Sequence, residues 1–141
     1  MIRAHVDAVR ALLAPLEASP TSLPVFEGGL DGPYTATLPL QPLRTPYVVI
    51  RVGGFPLDSG RLAQWSNDLD GRLYVACAGA VWDEAAWAME KTRGVLLDAV
   101  PVVSGRSLAP LRLVDSSSIE ADRDAAPPVW VGVDLYAVRS F

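Results

Sequence analysis

The chain has 141 residues, of which 50% are hydrophobic and 20% charged, and it carries a net charge of −4 at pH 7. This length suits one domain that buries its own core, so we expect a single domain over residues 1–141. The apolar content excludes a disordered chain, and the negative charge disfavours tight binding to nucleic acid phosphates.

An amphipathic helix is predicted over residues 2–17. Its apolar side chains recur three or four residues apart and form one stripe: Ile2, Val6, Val9, Leu12, Leu13 and Leu16. That spacing is typical of a helix that packs on a core. His5 falls among the polar positions, where we expect a solvated surface histidine. No apolar run resembles a signal peptide or a membrane span, so we expect a protein of the cytoplasm with no membrane contact.

Two strands and two long loops follow. Residues 24–27 predict a short strand, and residues 47–52 predict a longer one in which Val48, Ile50 and Val52 alternate with Tyr47, Val49 and Arg51. Residues 28–46 are rich in Gly and Pro and predict a long loop, and residues 53–67 predict a second one. Loops of such length are usually functional or ordered by a partner, which is what we expect of the first.

The stretch from Leu69 to Val100 changes its hydrophobic period from two to 3.6 residues, so a strand is predicted to run directly into a helix. Leu69, Leu73, Val75 and Cys77 form the apolar side of this strand, opposite Arg72 and Tyr74. The predicted helix has an apolar stripe at Trp82, Ala86, Met89, Leu96 and Val100. Gly79 and Ala80 form the corner between strand and helix.

The remainder predicts a turn at residues 102–106, a short strand at residues 108–114 and a polar loop at residues 115–128. Residues 129–139 predict a long strand that is apolar on one face and mixed on the other. The order of elements indicates an α+β fold: a single domain with a mostly antiparallel or mixed sheet and two helices packed on one face.

Residues with the spacing of a catalytic, cofactor or metal site are missing from the sequence. His5 is the single histidine and Cys77 the single cysteine, which excludes HExxH, a three-ligand zinc site and an intrachain disulfide. We expect Cys77 to be a small buried hydrophobe. Asp68 and Asp70 flank Leu69 and predict a hairpin turn in preference to a cation site. We therefore expect no enzyme activity, no cofactor and no metal.

Arg and aromatic side chains are over-represented where subunits pack. On that basis the candidate subunit-interface residues are Arg51, Arg72 and Tyr74, on the polar side of two strands, together with Trp87 of the second helix. A buried edge within the same chain is an equally good explanation for Trp87.

The whole chain resembles the tail terminator (minor tail) proteins of long-tailed phages, especially those that infect actinobacteria. The resemblance rests on the opening helix and on the order and spacing of five further segments: VFEGG, PYVVIRV, GRLYVACAGAVWDEAAWAMEKTRGVLLD, GRSLAPLRL and VDLYAVRS. It implies a structural virion protein at the tail–neck junction, assembled in the host cytoplasm. Its copies would form a ring, a homohexamer, that caps the tail tube and stops its polymerisation.

The partners that the resemblance implies are further copies of the chain, the major tail tube protein and the head completion or neck proteins. DNA would only pass through the channel. Another neck or head–tail completion protein is the nearest alternative. A small-ligand or peptide binding module is the alternative from a different class, and an unrecognised enzyme is a third.

Overall fold

The computed structural model describes residues 2–28, 46–53, 69–123 and 128–141. Of the two loops expected at residues 28–46 and 53–67, only residues 28, 46 and 53 fall within these ranges. Both loop predictions therefore lie almost entirely outside the described residues.

The described residues form two helices and six strands. Their bounds are α1 Ile2–Glu17, β1 Val25–Glu27, β2 Tyr47–Gly53, β3 Leu69–Gly79, α2 Trp82–Leu96, β4 Arg112–Ser116, β5 Glu120–Asp122 and β6 Val129–Ser140. The sheet has the order β1-β2-β3-β6-β4, and β5 also pairs with β6. β1 is parallel to β2, and the other pairs are antiparallel. The predicted α+β class with a mixed sheet is confirmed.

Both helices pack on one face of the sheet. In register, Val48 lies beside Cys77, Ile50 beside Val75 and Val52 beside Leu73, and all six side chains are buried. They belong to one core with Val9 and Leu13 of α1 and Met89 and Leu96 of α2. The alternation predicted for β2 and β3 is thus confirmed, and so is the burial of Cys77. Neither described helix has the length and apolarity to cross a membrane.

The mixed face of β6, and not its apolar face, lies beneath the helices. Gly132, Asp134, Tyr136 and Val138 are buried there, whereas Val131, Val133, Leu135 and Ala137 are only partly buried on the other face. An added Cβ at Gly132 would lie 2.5 Å from Met89 Sδ and 2.9 Å from Ile119 Cγ1, so both side chains would have to shift. A small residue therefore lets α2 approach the sheet.

The apolar stripe expected for α2 is wrong in part. The helix ends at Leu96, short of Val100, and Trp82 is 50% exposed. The buried residues are instead Ala85, Ala88, Met89, Thr92 and Leu96. The physical reason is close packing at the start of the helix: a Cβ on Gly79 would lie 2.8 Å from the Ala85 backbone nitrogen. Small side chains face the sheet there, and the large Trp82 is turned outward.

The prediction for His5 is wrong, since this side chain is 1% exposed. His5 lies four residues before Val9 and eight before Leu13, which places all three on one helix face. Histidine is polar and is therefore expected on the exposed side of a helix. The helical period, however, places residue 5 in the buried stripe with Val9 and Leu13.

The last third of the chain contains more strand than expected. β4 extends to Ser116, and β5 lies within the predicted loop at residues 115–128, of which residues 124–127 are outside the described ranges. Leu108 makes only an isolated bridge to Ser140, so the predicted strand begins later, at Arg112. Asp70 and Gly71 are paired inside β3, so the turn predicted at this point is also wrong.

Candidate interaction surfaces

Arg51, Arg72 and Tyr74 lie together on the sheet face opposite the helices. Arg51 is the direct cross-strand neighbour of Tyr74, and Arg72 lies two residues before Tyr74 on the same face of β3. The guanidinium carbon of Arg51 is 4.4 Å from the centre of the Tyr74 ring. This distance gives a cation–π contact, which holds the Arg51 side chain flat against the sheet.

These residues belong to a larger surface, here called the open face. Its members are the partly exposed side chains that alternate with the core residues: Phe26, Tyr47, Val49, Arg51, Arg72, Tyr74, Ala76, Val131, Val133, Leu135 and Ala137. Phe26 and Tyr47 meet edge to face, with ring centres 6.1 Å apart. Within the described ranges no helix covers this surface, because α1 and α2 both pack on the other side.

The two arginines of the open face differ in their partners. Arg72 donates from Nη1 to Asp70 Oδ1 at 3.1 Å and to the Gly71 carbonyl oxygen at 3.0 Å. In the part of the chain that the structure describes, Arg51 forms no ion pair with a carboxylate. The open face therefore combines aromatic and aliphatic side chains with Arg51, a cation that no described carboxylate neutralises.

Trp87 is not near the other three predicted interface residues. It lies on α2, in the opposite layer, where it is half-buried against the edge of the core. Its ring centre is 6.0 Å from Lys91 Nζ. Trp87 also lines a cavity of about 460 Å³, the α2 groove, which is formed by Thr21, Ser22, Pro46, Asp83, Glu84 and Trp87. Trp87 thus packs within the chain, and its contact with a neighbouring subunit stays a prediction.

The start of α2 gives the groove its charge. Glu84 Oε2 accepts a hydrogen bond from the Ala80 backbone N–H at 2.7 Å, just before the N-cap residue Val81, which has no side-chain capping bond. Asp83 is exposed and has no ion-pair partner among the described residues. Beside them Val81 is 52% exposed and Trp82 is 50% exposed. The groove and its border are therefore acidic and apolar.

A buried ionic network, which was not identified from the sequence, joins α2, β4 and β6. The Asp134 side chain is wholly buried and accepts two hydrogen bonds from Arg93, both at 2.7 Å, and one from Ser116 Oγ at 2.6 Å. The hydrogen bond to Asp134 raises the pKa of Arg93 above its ordinary value. The only signal in the sequence is an aspartate within a strand that is otherwise mostly apolar.

Burial holds two further titratable side chains of the core, Cys77 and Tyr136, in their neutral forms. Burial raises the pKa of the Cys77 thiol to about 12, and the nearest polar atom recorded for it is Thr92 Oγ1 at 3.6 Å. Burial also raises the pKa of the Tyr136 phenol. At neutral pH the Cys77 sulfur is therefore a thiol, the poorly nucleophilic form. Among the described residues, no group of three or more His, Cys, Asp or Glu side chains is placed to hold a metal ion.

Comparison with solved structures finds four chains of similar fold. A chain of the structure entitled "Virion of native gene transfer agent (GTA) particle" superposes with a TM-score of 0.58 at 16% sequence identity, covering 100% of this chain and 95% of that chain. No family model and no curated protein matches the sequence. At this identity the likeness establishes a shared fold over the full length of the chain.

Proposed function

We propose that this chain is a structural protein of a phage-like virion. The observation that carries the proposal is the likeness of fold to a chain of a gene transfer agent virion, which extends over 100% of this chain and 95% of the other. Because both chains are covered almost completely, the shared unit is the whole domain and not a common substructure. The order of sequence segments and the fold comparison, which are independent, favour the same class of particle.

Within that class we propose a tail terminator. Six copies form a ring that caps the finished tail tube, ends its polymerisation and offers a docking face to the head completion or neck proteins. The net charge of −4 per chain suits a channel through which DNA passes without adhering. Such a protein works by binding and not by catalysis, so we propose no enzymatic activity.

The arrangement of the candidate interface residues supports a ring. Subunits of a closed ring meet head to tail, so each uses one surface toward one neighbour and a different surface toward the other. Arg51, Arg72 and Tyr74 lie on the open face, while Trp87 lies in the opposite layer. Two separate surfaces on opposite sides of one subunit are what a head-to-tail contact needs.

The test is a tube-polymerisation assay with the matching major tail tube protein. Tube length is measured by electron microscopy with and without an excess of the protein, and an unrelated acidic protein of similar mass serves as the control. We expect tubes to stop lengthening and a ring to be visible at one end. Tubes that lengthen at the same rate and show no ring at either end would refute the terminator role.

The same assay separates the alternatives. A neck or head completion protein would bind finished tails or heads but leave tube growth unchanged. A peptide or small-ligand binding module would bind to neither particle. Its site would be the open face, the described surface on which aromatic side chains are exposed beside an arginine.

A further inference from the structure

We infer that the open face of one subunit docks against the α2 groove of a second copy of this chain, with Arg51 directed at Asp83 of the neighbour. This inference rests on the proposed ring and adds the two surfaces that would build it. The partner that covers the open face is thus a second copy of this chain, and that copy binds through the acidic start of its helix α2.

The two surfaces are complementary in charge. Arg51 is a cation without a carboxylate partner, and Asp83 is a carboxylate without a cationic partner, in the described part of the chain. Bringing them together neutralises both, and like charges would meet if two open faces or two grooves came together. Complementary charge therefore favours the head-to-tail pairing over the symmetric ones.

The two surfaces also match in apolar character. The open face presents Tyr74, Val49 and Leu135, and the border of the groove presents Val81 and Trp82, each about half exposed. Docking would place a helix layer on the uncovered side of the sheet. The sheet would then be covered on both faces, which is the usual way for a sheet with two apolar faces to exclude water.

The size of the open face predicts a weak single contact. It spans about 14 Å across its four strands, β1, β2, β3 and β6, and about 24 Å along the seven residues of β2, using the usual spacings of a sheet. This area is smaller than the roughly 800 Å² that each partner buries in a standard interface. Free subunits should therefore associate weakly, and closing a ring on the end of a tube would add the contacts that make it stable.

The experiment is a charge-reversal exchange. Arg51→Glu and Asp83→Arg are made singly and together, and self-association is measured by sedimentation velocity and on tube ends by electron microscopy. We expect each single variant to associate about tenfold or more weakly, because like charges then face each other, and the double variant to recover most of the loss. Thermal melting checks that every variant is folded.

The matched control reverses another charged pair, Arg112→Glu with Asp98→Arg. This ion pair is exposed, with a nitrogen to oxygen distance of 2.6 Å, and lies at the β4 edge of the sheet, away from Arg51. It changes the same number of charges: Arg112 adjoins Ala137 at the edge of the open face farthest from Arg51, and Asp98 belongs to neither docking surface. We expect its self-association to equal that of the unmodified chain.

A cysteine pair provides a second test that does not depend on electrostatics. Cys77 is buried with its pKa at about 12, so it does not interfere with an engineered disulfide. The variant Tyr74→Cys with Asp83→Cys should form reducible oligomers on oxidation. Replacing the second change by Asp98→Cys should leave monomers.

The outcomes separate this inference from the proposed function. If tubes are capped by the unmodified chain and equally by Arg51→Glu, the two surfaces are wrong and the terminator role stands. If the exchange restores self-association but no tube is capped, the contact stands and the terminator role falls. If the chain neither self-associates at high concentration nor caps tubes, both are refuted.

Discussion

At the scale of single residues, Asp134 has the largest expected effect on stability. Its carboxylate is wholly buried, and Arg93 supplies the compensating positive charge from α2. Removing Arg93 leaves an uncompensated charge in the core, with only Ser116 as a recorded partner. Arg93→Ala should therefore lower the free energy of unfolding by about 3 kcal/mol, the low end for a broken buried pair because the Arg93 side chain is 36% exposed.

The measurement is urea unfolding followed by tryptophan fluorescence. Arg112→Ala is the matched control, since it removes an arginine from an ion pair whose side chains are 70% and 68% exposed. Such exposed pairs contribute about 0–1 kcal/mol. If both variants lowered the free energy of unfolding by the same amount, burial of Asp134 would not determine how much its ion pair contributes to stability.

At the scale of elements, the junction between β3 and α2 depends on the absence of a side chain at Gly79. An added Cβ would lie 2.5 Å from Glu84 Cβ and 2.8 Å from the Ala85 backbone nitrogen, and backbone atoms cannot move aside as a flexible side chain does. Gly79→Ala should cost about 1–3 kcal/mol of stability, as other overpacked sites do.

Gly94 supplies the comparison within α2. A Cβ at this position has no atom within 4 Å, and the residue is exposed. Gly94→Ala should raise stability by about 0.5–1 kcal/mol, the usual difference between the two residues in a helix. Thermal melts of both variants check the pair of expectations, and a stabilising Gly79→Ala would contradict the close approach at the junction.

At the scale of the whole molecule, net charge sets the expected behaviour toward DNA. With a net charge of −4 per chain, the protein has no net electrostatic attraction for a DNA duplex. Gel retardation at about 0.15 M salt should show no complex at micromolar protein. A retarded band under these conditions would argue against free passage of DNA through the proposed channel.

The sequence was sufficient for the features that depend on local period. The alternation in β2 and β3 placed Arg51, Arg72 and Tyr74 on one face, and the structure groups them there. The sequence was insufficient where the burial of a side chain depends on residues far away in the chain. Burial of Asp134 requires Arg93, 41 positions earlier, and Ser116, 18 positions earlier. No local pattern reports such partners, so the orientation of β6 could not be predicted.

The candidate surfaces could likewise be predicted only in part from the sequence. Arg51 lies beside Tyr74 because of the register between β2 and β3. The alternation of apolar and polar residues predicts which face each side chain occupies, but it does not predict that register. The position of Trp87 depends on how α2 is rotated about its axis on the sheet. That rotation is set by the small residues Gly79, Ala85 and Gly132, whose effect is visible only once the layers are packed.

The position of β6 in the sheet has a consequence for biosynthesis. β6 pairs with β3 on one edge and with β4 and β5 on the other, yet it is translated after all three. At usual elongation rates about 3–12 seconds separate the synthesis of Gly79 from that of Ser140. During that interval the eleven residues of β3 have an edge with no native partner. Nascent chains on one polysome are then exposed to strand exchange, so the yield of correctly folded subunits should depend on translation speed and on chaperones that shield this edge.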